Sequence, residues 1–134
     1  MIDIPAKYAG AETFTFGDSE WLCEALLALV IAGKKTATCG ALRDFEAEGE
    51  ALPVPGRRDI ALHWFGRPAL VIETVQVETK TFQEVDANFA LAEGENETFE
   101  GWQRDHRAYF ERNGGWSPDM MLVCERFKLI EVLG

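Results

Sequence analysis

Residues that build metal centres or disulfide frameworks are scarce in this sequence. Its two histidines, His63 and His106, and its three cysteines, Cys23, Cys39 and Cys124, lie far apart. No C-x-x-C, H-E-x-x-H or calcium-loop spacing occurs. We therefore predict no metal ion and no cofactor. No basic segment followed by an apolar stretch opens the chain, so we interpret the cysteines as free thiols of a cytoplasmic protein.

Long apolar runs and an excess of positive charge are missing too. No stretch reaches the ~20 apolar residues that a membrane-spanning helix needs, so we expect no membrane contact. The net charge is −10, with 13 lysines and arginines against 23 acidic residues. This charge disfavours tight binding to long nucleic acid, which relies on many cation–phosphate contacts. A small-molecule nucleoside or base fits better, with weak RNA binding left open and the oligomeric state undetermined.

Size and apolar patterning predict one α+β domain over residues 1–134, which are 47% hydrophobic. Alternating apolar residues predict strands over 36–42, 60–65, 69–79 and 120–132. Helical periodicity predicts helices over 18–33, after a capping box at 81–84, and over 98–112. Because strands and helices do not alternate regularly, we expect a small, curved, mostly antiparallel β-barrel flanked by helices.

The segment from Gly33 to Thr38 is the first candidate for chemistry. Its adjacent lysines, Lys34 and Lys35, follow a predicted helix, and cations there complement the helix dipole without any functional role. In an extended strand Lys35 and Thr38 face opposite sides. They therefore share a site only if the chain turns or bulges between them.

The pattern Gly33-x-Lys35-x-x-Thr38 is similar to the G-x-K-x-x-T signature of the ASCH family, which is related to the PUA domains of RNA-modifying proteins. The resemblance extends from about Phe14 to Ile130. Further segments that resemble one bacterial branch of the family are Phe16-Gly17-Asp18, Gly66-Arg67-Pro68, Val71-Ile72-Glu73, Phe82-Gln83-Glu84-Val85, Ala92-Glu93-Gly94-Glu95, Trp102 with His106, and Val123-Cys124-Glu125-Arg126-Phe127.

This resemblance implies a PUA-like fold with a cleft beside the motif. Some family members are amidohydrolases that remove the acyl group from N4-acylated cytidines by means of a lysine, a threonine and a glutamate. The motif assigns Lys35 and Thr38, and the position after the Gly-x-Pro turn assigns Glu73, with Glu93 as the next carboxylate to consider. A ribonuclease and a non-catalytic RNA- or nucleotide-binding module are the alternatives.

In such an amidohydrolase Thr38 would be the nucleophile. Lys35 would take its proton if burial lowered the lysine pKa from its usual ~10.4. Glu73 would orient the lysine or pass a proton to the cytosine amine. Without the resemblance, Glu73 would be interpreted as an ordinary glutamate that faces solvent.

Four further residues are candidates for substrate contacts, and each also has a structural explanation. Lys34 neighbours the motif lysine, and Ser117 offers a hydroxyl from a predicted turn. His63 lies beside Trp64 in a predicted strand and is a candidate for stacking on a base, and Trp64 is a candidate for lining a base pocket. His106 lies on the apolar side of a predicted helix and is interpreted as a hydrogen-bonded core histidine.

Overall fold

The computed structural model describes residues 4–134, which form a five-stranded mixed sheet and four α-helices. The strands are β1 Thr13–Phe14, β2 Ala37–Ala41, β3 Arg58–Leu62, β4 Pro68–Thr81 and β5 Met121–Val132. The helices are α1 Glu20–Ile31, α2 Leu42–Glu48, α3 Ala87–Ala92 and α4 Phe99–Arg112. Short 3-10 helices occupy Ala6–Tyr8 and Phe82–Glu84. The predicted α+β class is confirmed.

The sheet is open within residues 4–134. Its strand order is β1-β3-β4-β5-β2, so β1 and β2 are its edges. Strand β1 pairs with β3 in parallel, whereas the other pairings are antiparallel. The sheet is thus mostly antiparallel as predicted, but it does not close into the expected barrel. Register shifts between β4 and β5 mark bulges, which bend long strands.

Local signals explain where most elements begin and end. Ser19 caps α1 by accepting a hydrogen bond from the Leu22 backbone at 3.2 Å. Gly33 ends it with φ of +78°, as the sequence predicts. Helix α2 was not predicted, because it is short and none of its residues is fully buried. The predicted strand over 60–65 stops at Leu62, and a turn follows it.

The two faces of the sheet carry separate cores. Helix α1 covers one face, where Leu26, Val30, Ile72 and Phe127 belong to one buried cluster. The opposite face beside β2 carries a second cluster built largely from aromatic residues of α3, α4 and the 3-10 helix: Phe82, Phe89, Trp102 and Phe110. Because β2 is an edge strand, residues from both faces come together around its free edge.

None of the helices in residues 4–134 has the length and apolar character needed to span a lipid bilayer.

Candidate active site

A cleft of about 480 Å³ lies beside β2, between α1 and α4. Helix α1 supplies an apolar wall that includes Leu22, Leu26 and Leu29. The remaining lining is mostly polar and includes Thr38, Glu93, Glu95, His106 and Tyr109. Ligand sites typically have volumes of ~300–1,000 Å³, so the cleft accommodates a molecule of nucleoside size.

Lys35 lies buried behind this lining, with 1% of its surface exposed. It is placed there because α1 ends at Gly33 and the chain then turns into β2. Its Nζ donates to the Ala37 carbonyl at 2.8 Å, to Glu93 Oε1 at 3.3 Å and to Glu95 Oε2 at 3.0 Å. The ammonium group is thereby held between two carboxylates, and its three N–H donors all have partners.

Glu93 follows the last residue of α3 and is itself buried. Its Oε2 accepts a hydrogen bond from Trp102 Nε1 at 2.8 Å, and its Oε1 lies 3.5 Å from His106 Nε2. The His106 ring stacks on Trp102 at 4.4 Å, and its Nδ1 lies 3.0 Å from the Trp102 carbonyl oxygen. Both Glu93 carboxylate oxygens are therefore engaged by neighbouring side chains.

Charge pairing outweighs burial in setting the protonation of this cluster. Burial by itself would raise the pKa of Glu93, but Lys35, His106 and Trp102 lower that pKa to about 2. Burial would likewise lower the pKa of Lys35, yet Glu93 and Glu95 raise it above its ordinary value. Burial would also lower the pKa of His106, but the hydrogen bond and the negative charge of Glu93 raise that pKa above its ordinary value. Lys35 is therefore a cation, and the hypothesis that burial makes it a neutral base does not fit its surroundings.

Thr38 lies where two clefts meet. It lines the first cleft together with Glu95, and it also lines a second cleft of about 610 Å³ that includes Arg57, Asp59 and Glu125. Lys35 precedes β2 and Thr38 lies within it, and the two residues are linked through Glu95, which contacts Lys35 and lines the first cleft together with Thr38. The first cleft lies at the free edge of β2, and polar groups from both faces of the sheet line it.

Glu73 is not brought to this cluster. Its neighbour Ile72 belongs to the core beneath α1, so the alternation along β4 directs Glu73 to the opposite sheet face. There its carboxylate pairs with Arg58 Nε at 3.0 Å and Lys128 Nζ at 3.4 Å. The carboxylates that contact Lys35 are instead Glu93 and Glu95.

The four residues named for substrate contacts line neither cleft around Thr38. Lys34 is exposed beyond the end of α1. His63 Nδ1 lies 2.8 Å from Glu24 Oε1, and the backbone N–H of Trp64 donates to the same carboxylate. Ser117 donates to Asp119 Oδ1 at 2.8 Å within a turn. His106, interpreted as a core residue, is buried and also contributes to the first cleft.

Cys39, Glu93 and His106 have ligand atoms within 4.8 Å of one another. A metal ion there would meet the Lys35 ammonium, 3.3 Å from Glu93 Oε1. Burial also raises the pKa of the Cys39 thiol well above its ordinary value, which opposes the thiolate that a metal requires. The cluster is therefore arranged around the lysine cation.

Glu95 is the functional candidate that sequence reasoning missed. Its segment, Ala92-Glu93-Gly94-Glu95, was noticed only as part of the family resemblance. The contact with Lys35 joins residues 60 positions apart in the sequence. Periodicity along the chain contains no signal for such a contact.

Comparison with known proteins gives a consistent result. The ASCH domain model matches residues 12–131. A crystal structure of a protein from Enterococcus faecalis V583 is 35% identical, with a TM-score of 0.82, and the match covers 90% of this chain and 77% of that chain. The ASCH domain of Lactobacillus crispatus JV V101 is 29% identical, with a TM-score of 0.81 and coverages of 92% and 81%. No curated protein matches the chain.

The chain therefore belongs to the ASCH domain family, and its fold is the PUA-like α+β fold of its structural neighbours. This confirms the resemblance seen in the sequence. The family is linked to RNA-binding and hydrolase-type roles.

Proposed function

We propose that this member of the ASCH domain family is an amidohydrolase that removes the acyl group from N4-acylated cytosine or cytidine. The observation that carries the proposal is the buried Lys35, paired with Glu93 and Glu95 directly behind the lining of a nucleoside-sized cleft to which these two carboxylates and Thr38 contribute. A lysine, a threonine and a glutamate are the residue types that the resemblance links to this reaction.

Thr38 is the nucleophile in this proposal. Its hydroxyl oxygen attacks the acyl carbon, the cytosine amine leaves, and water then hydrolyses the ester on Thr38. Lys35 contributes positive charge where negative charge develops on the carbonyl oxygen. Its bond to Glu95 is the one that a substrate oxygen can replace, because the Glu95 side chain is 21% exposed beside the cleft.

The two carboxylates that contact Lys35 have different roles. The Glu93 side chain is only 2% exposed, and both its oxygens are engaged, so it positions Lys35. Glu95 reaches the cleft and can accept the amide N–H of the substrate. Glu95 thus takes the place for which the resemblance suggested Glu73.

The charge around the cleft favours a neutral substrate over a polyanion. Its lining includes Asp18, Glu95 and Asp105, whereas Arg112 at the rim is already paired with Asp18 at 2.7 Å. A ribonuclease would have to bring phosphates against these carboxylates, and like charges at such distances repel. A neutral nucleoside or base meets no such barrier.

The direct test is incubation of purified protein with N4-acetylcytidine in the absence of added metal, with cytidine and acetate measured by chromatography. We expect both products in equal amounts. Thr38→Ser should retain measurable turnover because it keeps the hydroxyl, whereas Thr38→Ala should retain almost none. Activity that a chelator abolishes and a divalent ion restores would contradict this proposal.

The same assay compares the candidate glutamates. Glu95→Gln should lower kcat/KM by ~10–100-fold, because glutamine keeps an acceptor oxygen but loses the negative charge that pairs with Lys35 and strengthens the hydrogen bond to the substrate. Glu73→Gln should stay near the wild-type value, because Glu73 is paired with Arg58 and Lys128 and lines neither cleft. The reverse ranking would return the catalytic role to Glu73.

A further inference from the structure

We propose that Glu125 is a further catalytic residue, the carboxylate that accepts the proton of the Thr38 hydroxyl. This inference rests on the proposed function, since it presumes that Thr38 attacks an acyl carbon. It answers a chemical need that Lys35 does not meet. A threonine hydroxyl requires a base, and the Lys35 ammonium has no free lone pair with which to act as one.

The register of the sheet places Glu125 beside Thr38. Thr38 on β2 is the direct antiparallel partner of Glu125 on β5. Side chains of directly paired residues lie on the same face, with Cβ atoms ~4.5–5.5 Å apart. Both residues line the second cleft, so the carboxylate and the hydroxyl face a shared space.

Glu125 is buried, with 8% of its surface exposed, and its Oε2 accepts a hydrogen bond from Thr74 Oγ1 at 2.6 Å. Within residues 4–134 this is the only hydrogen bond to its carboxylate, so Oε1 is left for Thr38. The Thr74 bond fixes the orientation of the carboxylate without occupying both oxygens. This combination of one held and one available oxygen suits a base.

Burial and the neighbouring charged groups together set the pKa of the Glu125 carboxyl group. Burial, the largest effect, raises the pKa of Glu125, and the negative charge of Asp59 raises it further. The hydrogen bond from Thr74 and the positive charge of Arg57 lower it, but the net result is a raised pKa. Arg57 is itself held by Asp59 through bonds of 2.9 and 2.7 Å, and the further acids Glu12 and Glu50 line the same cleft. A base is most effective when its pKa approaches the working pH.

Each proton has a place in the resulting sequence of steps. As the bond from Thr38 Oγ1 to the acyl carbon forms, the hydroxyl proton moves to Glu125 and the carbonyl electron pair moves to its oxygen. The bond from that carbon to N4 then breaks, and Glu125 returns the proton to N4. Water attacks the ester, gives its proton to Glu125, and that proton passes to Thr38 Oγ1 as the acid leaves.

The test is Glu125→Gln, assayed on N4-acetylcytidine with the full chain. Glutamine keeps an oxygen for the Thr74 hydroxyl but accepts no proton. We expect kcat to fall ~10²–10⁴-fold with little change in KM and with the melting temperature retained. The control is Glu78→Gln, which removes the same charge from an exposed site on β4 outside both clefts and should behave as the wild type.

A second variant keeps the carboxylate and tests its titration. Thr74→Val removes the hydrogen bond that lowers the Glu125 pKa, so the acid limb of the kcat/KM profile should move to higher pH. A limb that does not move would overturn the inference, even if Glu125→Gln fails to fold. Wild-type turnover by Glu125→Gln, with Thr38→Ala inactive, would overturn it and leave the proposed function standing. Absence of hydrolysis by the wild type would remove both.

Discussion

Lys35 balances the charge of the buried cluster, and its removal leaves two carboxylates without their common cation. Breaking a buried ion pair by deleting one partner typically costs about 3–5 kcal/mol. We expect Lys35→Ala to lose most activity and to melt at a markedly lower temperature. Lys34→Ala removes only an exposed cation, for which about 0.3–1 kcal/mol is typical, and should be mild. Comparable losses in the two variants would contradict the assignment.

The acid side of the stability curve gives Lys35→Ala a second readout. The pKa of Glu93 is lowered from 4.5 to about 2, so its pairing stabilises the fold fully above pH 4.5 and is lost as the pH falls toward 2. Without Lys35 that pKa rises, and this part of the pH dependence should flatten. Urea unfolding of both proteins between pH 2 and pH 6 measures the difference.

The sequence names Lys35 and Thr38 as candidates, because both lie within one short motif. It named Glu93, which contacts Lys35 across 58 positions, only as the next carboxylate after Glu73. It was not sufficient to find Glu95, which contacts Lys35 across 60 positions. It also could not exclude Glu73, since the face of an apolar strand on which a glutamate lies depends on its pairing. Long-range contacts of this kind are decided by tertiary packing.

At the scale of elements, the loop after α3 joins the two carboxylates to the end of α1. Gly94 separates Glu93 from Glu95 and has φ of +76°. A Cβ at Gly94 would lie 2.3 Å from the Lys34 carbonyl oxygen and 2.6 Å from its carbonyl carbon. The loop therefore approaches the backbone before Lys35 more closely than any side chain permits.

Gly94→Ala should consequently separate the loop from Lys35, with a large fall in both melting temperature and hydrolysis. The matched control is Gly33→Ala. Gly33 has φ of +78°, but a Cβ there would meet nothing within 4 Å, so only the left-handed strain of ~1–2 kcal/mol applies. Equal melting temperatures of the two variants would show that the close approach is unimportant.

Most elements were predictable from the sequence because they bury a periodic face or begin at a side-chain cap. The helix α4 begins after Thr98, whose side chain accepts from the Gly101 backbone, and buries Trp102 and Phe110. Helix α2 has no fully buried residue and was missed. Whether the sheet closes was not predictable either, since pairing between distant strands leaves no local pattern.

At the scale of the whole molecule, the net charge of −10 bears on the choice between a nucleoside and a polymer. We expect only weak binding of long single-stranded RNA at physiological salt, with a shallow dependence on salt, because few counterions would be released. Fluorescence anisotropy over a salt series measures both quantities. Sub-micromolar binding that weakens steeply with salt would favour an RNA-binding role, whereas hydrolysis of neutral N4-acetylcytidine should be nearly insensitive to salt.

The meeting of two clefts at Thr38 also bears on the order in which products depart. Both clefts are lined by Phe16, Gly17, Thr38, Cys39 and Tyr109, so they adjoin each other at Thr38. In the proposed hydrolysis the base departs first, while the acyl group stays attached to Thr38. Because two clefts adjoin at that residue, the base and the incoming water molecule need not use the same route, and water can reach the ester without crossing the path of the departing base.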